Sequence, residues 1–278
     1  MSLVFAAISP HPPLLIPQIG GQDLQKISET VLGMRKLANI FREAEVETLI
    51  VISPHSLVYP DRFNVAGMEK VFGSFAQFNA PDVIMEYKND LELAHQIDNA
   101  TNKADLKTLL YNNSGEFFEL DHGIMVPLFY LAKENESALK IIPVAYSNLS
   151  RAAHFSFGQI IGEVVQKYPG RVGILASGDL SHRLIQSSPA GYSKVGKPTS
   201  PAGRKFDKKI VEDIKNNNIQ DILYYDEDFV DDAGECGFRS ILILEGALDG
   251  KKAKPNILSY EGPFGVGYLV ANYSLEEK

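Results

Sequence analysis

Two short apolar runs, "LVFAAIS" at Leu3–Ser9 and "ETLIVIS" at Glu47–Ser53, are each cut off by proline and then histidine, so that Ser-Pro-His occurs at His11 and again at His55. Runs this short, dense in Ile, Val and Leu, predict strands buried on both faces. Between them Ile27, Val31, Met34, Leu37, Ile40 and Phe41 recur at helical spacing within Leu24–Glu43, so the stretch reads as β-α-β with two parallel, neighbouring strands. That unit commits the chain to an α/β fold with a histidine just past each of two strand ends.

The alternation continues along the 278 residues. Lys140–Val144 and Val172–Ser177 read as further strands, separated by a helix through Phe157, Ile160, Ile161, Val164 and Val165. Helical patterns cover Met85–Ala100, Gly123–Lys133, Pro201–Asn216 and Gly237–Leu248, and the strands Lys254–Glu261 and Val266–Ser274 form an edge hairpin around "GPFG". The expected architecture is one domain over 1–278, three-layered α/β/α, with a mixed, largely parallel central sheet. The stretch Ser187–Gly203, rich in Ser, Pro and Gly, reads as an active-site loop in which Tyr192, Lys194 and Lys197 can meet an anionic group.

Composition excludes several partners. Lys and Arg number 27 against 35 Asp and Glu, a formal charge of −8, and no basic block exists to track a phosphate backbone. No apolar run approaches a membrane span, and Leu3–Ile8 is too short, and lacks the basic flank, for a secretory leader. A cytoplasmic protein binding neither nucleic acid nor membrane is expected. The one cysteine, Cys236, rules out an internal disulfide and the usual cysteine-rich zinc sites, so any metal needs histidine and carboxylate ligands.

In open α/β sheets ligands bind beyond the carboxyl ends of the strands. His11, His55 and His182, the last in "SGDLSH" after Val172–Ser177, all fall there, and proline stiffens the turn before the first two. A lone histidine after a strand is usually a capping residue, but three at one sheet edge point jointly to a metal site. His122, in "ELDHGIMVPL", opens a helix and reads as a substrate or supporting contact, whereas His95 and His154 have no chemical company and default to structure or surface. Two histidines and a carboxylate leave open positions on non-haem Fe(II). The carboxylate candidates are Asp231, Asp232 and Glu235 in "DDAGECGFRS", all equally placed to complement a helix dipole, and spacing does not choose among them.

The ordered set "ISPHPPLL", "ISPHS", "ELDHGIMVPL", "SGDLSHR" and "AGECGFRS" resembles the class III extradiol ring-cleavage dioxygenases, the LigB-type superfamily that includes the Memo-like proteins. The resemblance implies metal ligands His11, His55 and Glu235, with His182 as acid/base and His122 contacting substrate. It implies Fe(II), O2 and a catechol-type or other phenolic substrate, the diol losing a proton to His182 before the ring opens. Memo-like relatives instead use a cysteine with two histidines, which brings in Cys236 and, with it, zinc or Cu(I) rather than Fe(II) or Mn. Successive residues at a helix start diverge by about 100°, so Glu235 and Cys236 are alternatives as ligands. The Memo-like alternative is a metal-binding redox or partner-binding protein without ring cleavage, whose branch implies a radical-SAM or Memo-associated partner; many relatives are homodimers. A third reading is a hydrolase using His11, His55 and Asp179, although Asp179 reads more simply as orienting His182 or closing its turn.

Overall fold

The Ile-, Val- and Leu-rich runs take the centre of one sheet in the computed structural model of the chain, which describes residues 2–132, 138–182 and 201–276. Strands β1 (Leu3–Ser9), β2 (Thr48–Ser53), β8 (Lys140–Ala145) and β9 (Val172–Ser177) are parallel in the order β1-β9-β2-β8. Every residue of β2 and β9 is buried. Side chains alternate between two cores: Ile50 and Ile52 face one, Leu49 and Val51 the other. Full burial of each such side chain contributes about 1.5–3 kcal/mol.

Helices fill both faces, and α1 (Pro17–Gly20), α7 (Ile219–Leu223) and α8 (Glu227–Ala233) are short connecting turns. α3 (Leu91–Lys103), α5 (Arg151–Lys167), α6 (Pro201–Lys215) and α9 (Phe238–Leu248) place Ile97, Phe157, Phe206 and Ile241 in the first core. On the opposite face α2 (Ser28–Glu43) and α4 (His122–Leu131) contribute Met34, Leu37, Ile124 and Leu128. The sheet is mixed and mostly parallel at its centre, as expected. β10 (Ala253–Glu261) and β11 (Tyr268–Leu275) form the antiparallel edge hairpin, with β11 antiparallel to β1. No helix among the described residues is long and apolar enough to cross a membrane.

Two expectations are corrected. β1 and β2 are not neighbours, because β9 lies between them and pairs with both, Val172 standing opposite Leu3 on one side and Thr48 on the other. A helical crossover fixes parallel direction and handedness but not adjacency. The pattern over Met85–Ala100 divides into the end of β5 (Ala80–Lys88) and most of α3. The Asp90 carboxylate caps α3 by accepting from the Leu93 N–H, a start signal that lies inside the stretch read as helix. The strands β3 (Phe63–Ala66), β4 (Lys70–Phe75), β6 (Thr108–Tyr111) and β7 (Phe118–Glu119) extend the sheet beyond β8 and were not anticipated. The loop carrying Tyr192, Lys194 and Lys197 lies outside the described residues.

α5 and α9 cross backbone to backbone. A Cβ on Gly246 would stand 2.1 Å from the Phe155 carbonyl oxygen. Gly246→Ala therefore forces the helices apart and is expected to cost about 1–3 kcal/mol, read as a lowered urea midpoint with unchanged slope.

Candidate metal centre

Beyond Ser9 the chain turns through Pro10, and the His11 N–H is received by the Asp179 carboxylate at 2.9 Å, two residues past the end of β9. His11 is almost fully buried. Its Nδ1 lies 2.9 Å from the Ser177 hydroxyl oxygen, and that hydroxyl donates its one hydrogen to the Gly123 carbonyl. Ser177 can then only accept from the ring, so Nδ1 carries the His11 proton and Nε2 presents a lone pair. That Nε2 faces the His55 Nε2 at 3.0 Å and the Cys236 Sγ at 3.6 Å. The three donor atoms lie within 4.8 Å of one another, a group that could hold one metal ion.

His55 reaches the same point from the end of β2. Its backbone N–H donates to Ser53 Oγ at 3.2 Å, and the Ser53 hydroxyl donates to Asp121 Oδ1 at 2.6 Å. His55 keeps one side open to solvent and stacks its ring on His122, centroids 4.3 Å apart and planes 23° from parallel. His122 is further held edge-on by His11 and Phe78.

The β9 turn locks this edge. The Asp179 carbonyl accepts from the N–H groups of Cys236 and Gly237, and the Asp179 N–H points at Cys236 Sγ at 3.3 Å. Two glycines allow the approach: a Cβ on Gly178 would stand 2.1 Å from the Gly237 Cα. His182 follows, its N–H bonded to the Ala233 carbonyl and its buried Nδ1 without a hydrogen-bond partner.

A cavity of about 160 Å³ opens between these groups, lined by His11, His55, His122, His182 and Asp179 and, on its apolar side, by Val266 and Tyr268. An engineered apolar cavity of about 150 Å³ accommodates benzene, so the space matches one six-membered ring. Burial sets the protonation. It holds His11 well below the ordinary imidazole range, with His55, His122 and His182 adding to the effect, and it lowers His55 and His122 to about 4. His182 is lowered too, so all four rings are neutral near pH 7. Burial raises the Asp179 carboxyl to about 7 and pushes the Cys236 thiol up, with the Asp179 and Glu235 charges adding to it, so a thiolate here requires a cation.

Of the residues expected from the sequence, the structure gathers His11, His55, His122 and His182 at one cavity. Glu235 is not in the cluster of donor atoms. Its Oε2 accepts from the Phe238 N–H at 2.5 Å, the carboxylate serving the start of α9, and burial raises it to about 7. Cys236 stands with the histidines instead. Asp179 does not orient the His182 ring; its carboxylate holds the His11 backbone. Ser53, Ser177, Val266 and Tyr268 escaped the sequence reading. The serines carried a signal, since each ends its strand one residue along from an Ile or Ala beside a histidine turn.

Residues 5–271 match the family model described as "Catalytic LigB subunit of aromatic ring-opening dioxygenase". The chain belongs to the LigB family. Protein CA_C1420 of Clostridium acetobutylicum is 36% identical over 275 residues, 97% of this chain but 57% of that protein, so the chain spans little more than half of its length. The 3,4-dihydroxyphenylacetate 2,3-dioxygenase of Escherichia coli is 22% identical over 248 residues, covering 87% of this chain and 88% of the enzyme. An uncharacterized Escherichia coli K12 protein, JW3007, shares the fold with a TM-score of 0.65 at 15% identity, over 98% of this chain and all of that one.

Two outcomes test this geometry. In metal-free protein the His55 and His122 imidazoles are expected to stay neutral from pH 8 down to about 5 and to titrate near 4, followed by NMR of histidine ring carbons. Ser177→Ala removes the group that receives the His11 Nδ1 proton and is expected to weaken metal affinity by about 10- to 100-fold, measured by competition with a chromogenic chelator.

Proposed function

We propose that this chain is a metal-dependent dioxygenase acting with O2 on a catechol-type or other small phenolic ring, its metal held by His11, His55 and Cys236. The reading is carried by the convergence of four neutral histidines on one ring-sized cavity at the carboxyl ends of parallel strands. The donor set fits a transition metal: two imidazole Nε2 atoms and one sulfur converge, and the His11 lone pair is already oriented inward. Fe(II) is the metal implied by the family, while the sulfur donor shifts preference toward zinc or Cu(I). When bound, such a metal supplies positive charge that acidifies a phenolic hydroxyl and, if redox-active, a route for electrons to O2.

The protein's own groups supply the rest. His182, neutral and on the cavity wall, takes the proton of a diol hydroxyl and returns one after ring opening. His122, stacked on His55, forms a flat wall against which the substrate ring lies. Val266 and Tyr268 give the cavity an apolar side against which the ring packs. Cys236 in the place expected for Glu235 favours a second reading, a Memo-like metal-binding redox or partner-binding protein without ring cleavage.

Metal analysis and an oxygen electrode separate these. Cys236→Ser is expected to lose metal, Glu235→Gln to keep it, and His182→Ala to keep metal while diol-dependent oxygen uptake falls about 10²–10⁴-fold. Metal lost in Glu235→Gln but retained in Cys236→Ser would return the carboxylate to the metal. Full metal occupancy with no oxygen uptake on any diol, under Fe(II), Mn, zinc or copper, would leave the Memo-like reading.

A further inference from the structure

His182 stands on a turn whose backbone groups are each bonded to a different part of the chain. The N–H groups of Leu180, Ser181 and His182 go in succession to the Gly267 carbonyl at 2.8 Å, the Asp207 carboxylate at 2.8 Å and the Ala233 carbonyl at 3.2 Å. The Ser181 carbonyl in turn receives the Gly267 N–H at 2.8 Å. Of these receivers of the three N–H groups, only Asp207 uses its side chain. It reaches Ser181 from α6, 26 positions further along the chain.

Asp207 is fully buried and stands outside the group of metal donors. Its Oδ1 holds the Ser181 N–H and its Oδ2 receives the Tyr260 hydroxyl of β10 at 2.8 Å. A Cβ on Gly267 would stand 2.1 Å from that same Oδ2. The carboxylate is thus wedged between the residue before His182 and the residue before Tyr268, and both of those next residues line the ring-sized cavity. Packing of α6 alone calls for an apolar side chain, such as the buried Phe206 and Ile210 beside it, because a buried carboxylate is costly unless donors meet it. Burial raises this carboxyl to about 6 against the pull of its two donors, so near pH 8 it is ionised and both oxygens accept. Without it the Ser181 N–H is left buried and unmatched, one residue from the imidazole.

We infer that Asp207 is a positioning residue for His182: by fixing the Ser181 peptide against Tyr260 and Gly267 it holds the imidazole in place for proton transfer. The proposed metal donors are held separately, His11 and Cys236 through Asp179, and do not depend on it. The inference rests on the proposed function for the task of His182 and adds a group outside the cavity through which that histidine works. Asp207→Asn keeps an oxygen for the Ser181 N–H and offers an amide N–H to the Tyr260 oxygen, so it preserves both contacts. Tyr260→Phe removes only the anchor of Oδ2, at a side chain that is 37% exposed.

The test compares Asp207→Ala, Asp207→Asn and Tyr260→Phe in the full chain near pH 8, by oxygen uptake on catechol and by zinc competition with a chromogenic chelator. In Asp207→Ala kcat is expected to fall about tenfold or more, while KM and zinc affinity stay within about threefold, since misplacing one proton-transfer group costs rate and not binding. Asp207→Asn is expected to restore kcat to within about threefold, and Tyr260→Phe to cost about two- to fivefold. In a His182→Ala background neither Asp207→Ala nor Tyr260→Phe is expected to cost anything further, because both act through the ring already removed. Unchanged kcat in Asp207→Ala, an equal loss in Asp207→Asn, a parallel loss of zinc affinity, or a full further loss on top of His182→Ala overturns the inference. If Asp207→Ala does not fold, Tyr260→Phe with and without His182 decides. If the unsubstituted chain takes up no oxygen on any diol, the dioxygenase reading fails, and NMR of histidine ring carbons in the zinc-loaded chain tests the positioning by itself. Displacement of the His182 signal alone in Tyr260→Phe and Asp207→Ala then upholds it, and an unmoved His182 signal overturns it.

Discussion

Everything at the site hangs on one residue's backbone and side chain. Asp179 receives the His11 N–H on its carboxylate, the Cys236 and Gly237 N–H groups on its carbonyl, and turns its own N–H toward Cys236 Sγ. Three chain segments that share no sequence neighbourhood are thereby set to one another by short bonds in a water-poor environment, where each unmade bond is costly. The central position of β9 makes this possible. A strand lying between β1 and β2 ends where both histidine turns begin, and its two residues of overhang reach either side.

The sheet edge and its histidines were legible because they depend on local chemistry. Buried parallel strands declare themselves as apolar runs, prolines declare the turns, and three histidines at three strand ends declare a shared site. Strand order was not legible, since the sequence between β1 and β2 describes a crossover and says nothing of what is inserted beside them. β3 to β7 were hidden for another reason: β5 is half-buried with irregular alternation, and β6 and β7 are too short to establish a period.

The placement of Glu235 and Cys236 shows what residue type alone leaves open. A carboxylate beside two histidines is the more familiar donor, and "AGECG" offers both at adjacent positions. What decides the geometry is the first N–H of α9, an unpaired donor that the Glu235 carboxylate satisfies, leaving the next side chain to face the histidines. Helix-end hydrogen bonding thus decides which of the two side chains faces the histidines, a constraint visible only once the start of α9 is placed.

The Cys236–His11 contact also has a temporal meaning. These residues are 225 positions apart, and the strands that bring them together close only when β9 has entered between β1 and β2. Contacts of such separation form late, after most loop-closure entropy has been spent. On a growing polypeptide His11 and His55 emerge long before the thiol, which is the last of the three grouped donors to be made. In the proposed site, selection among metals by the sulfur therefore belongs to the finished fold.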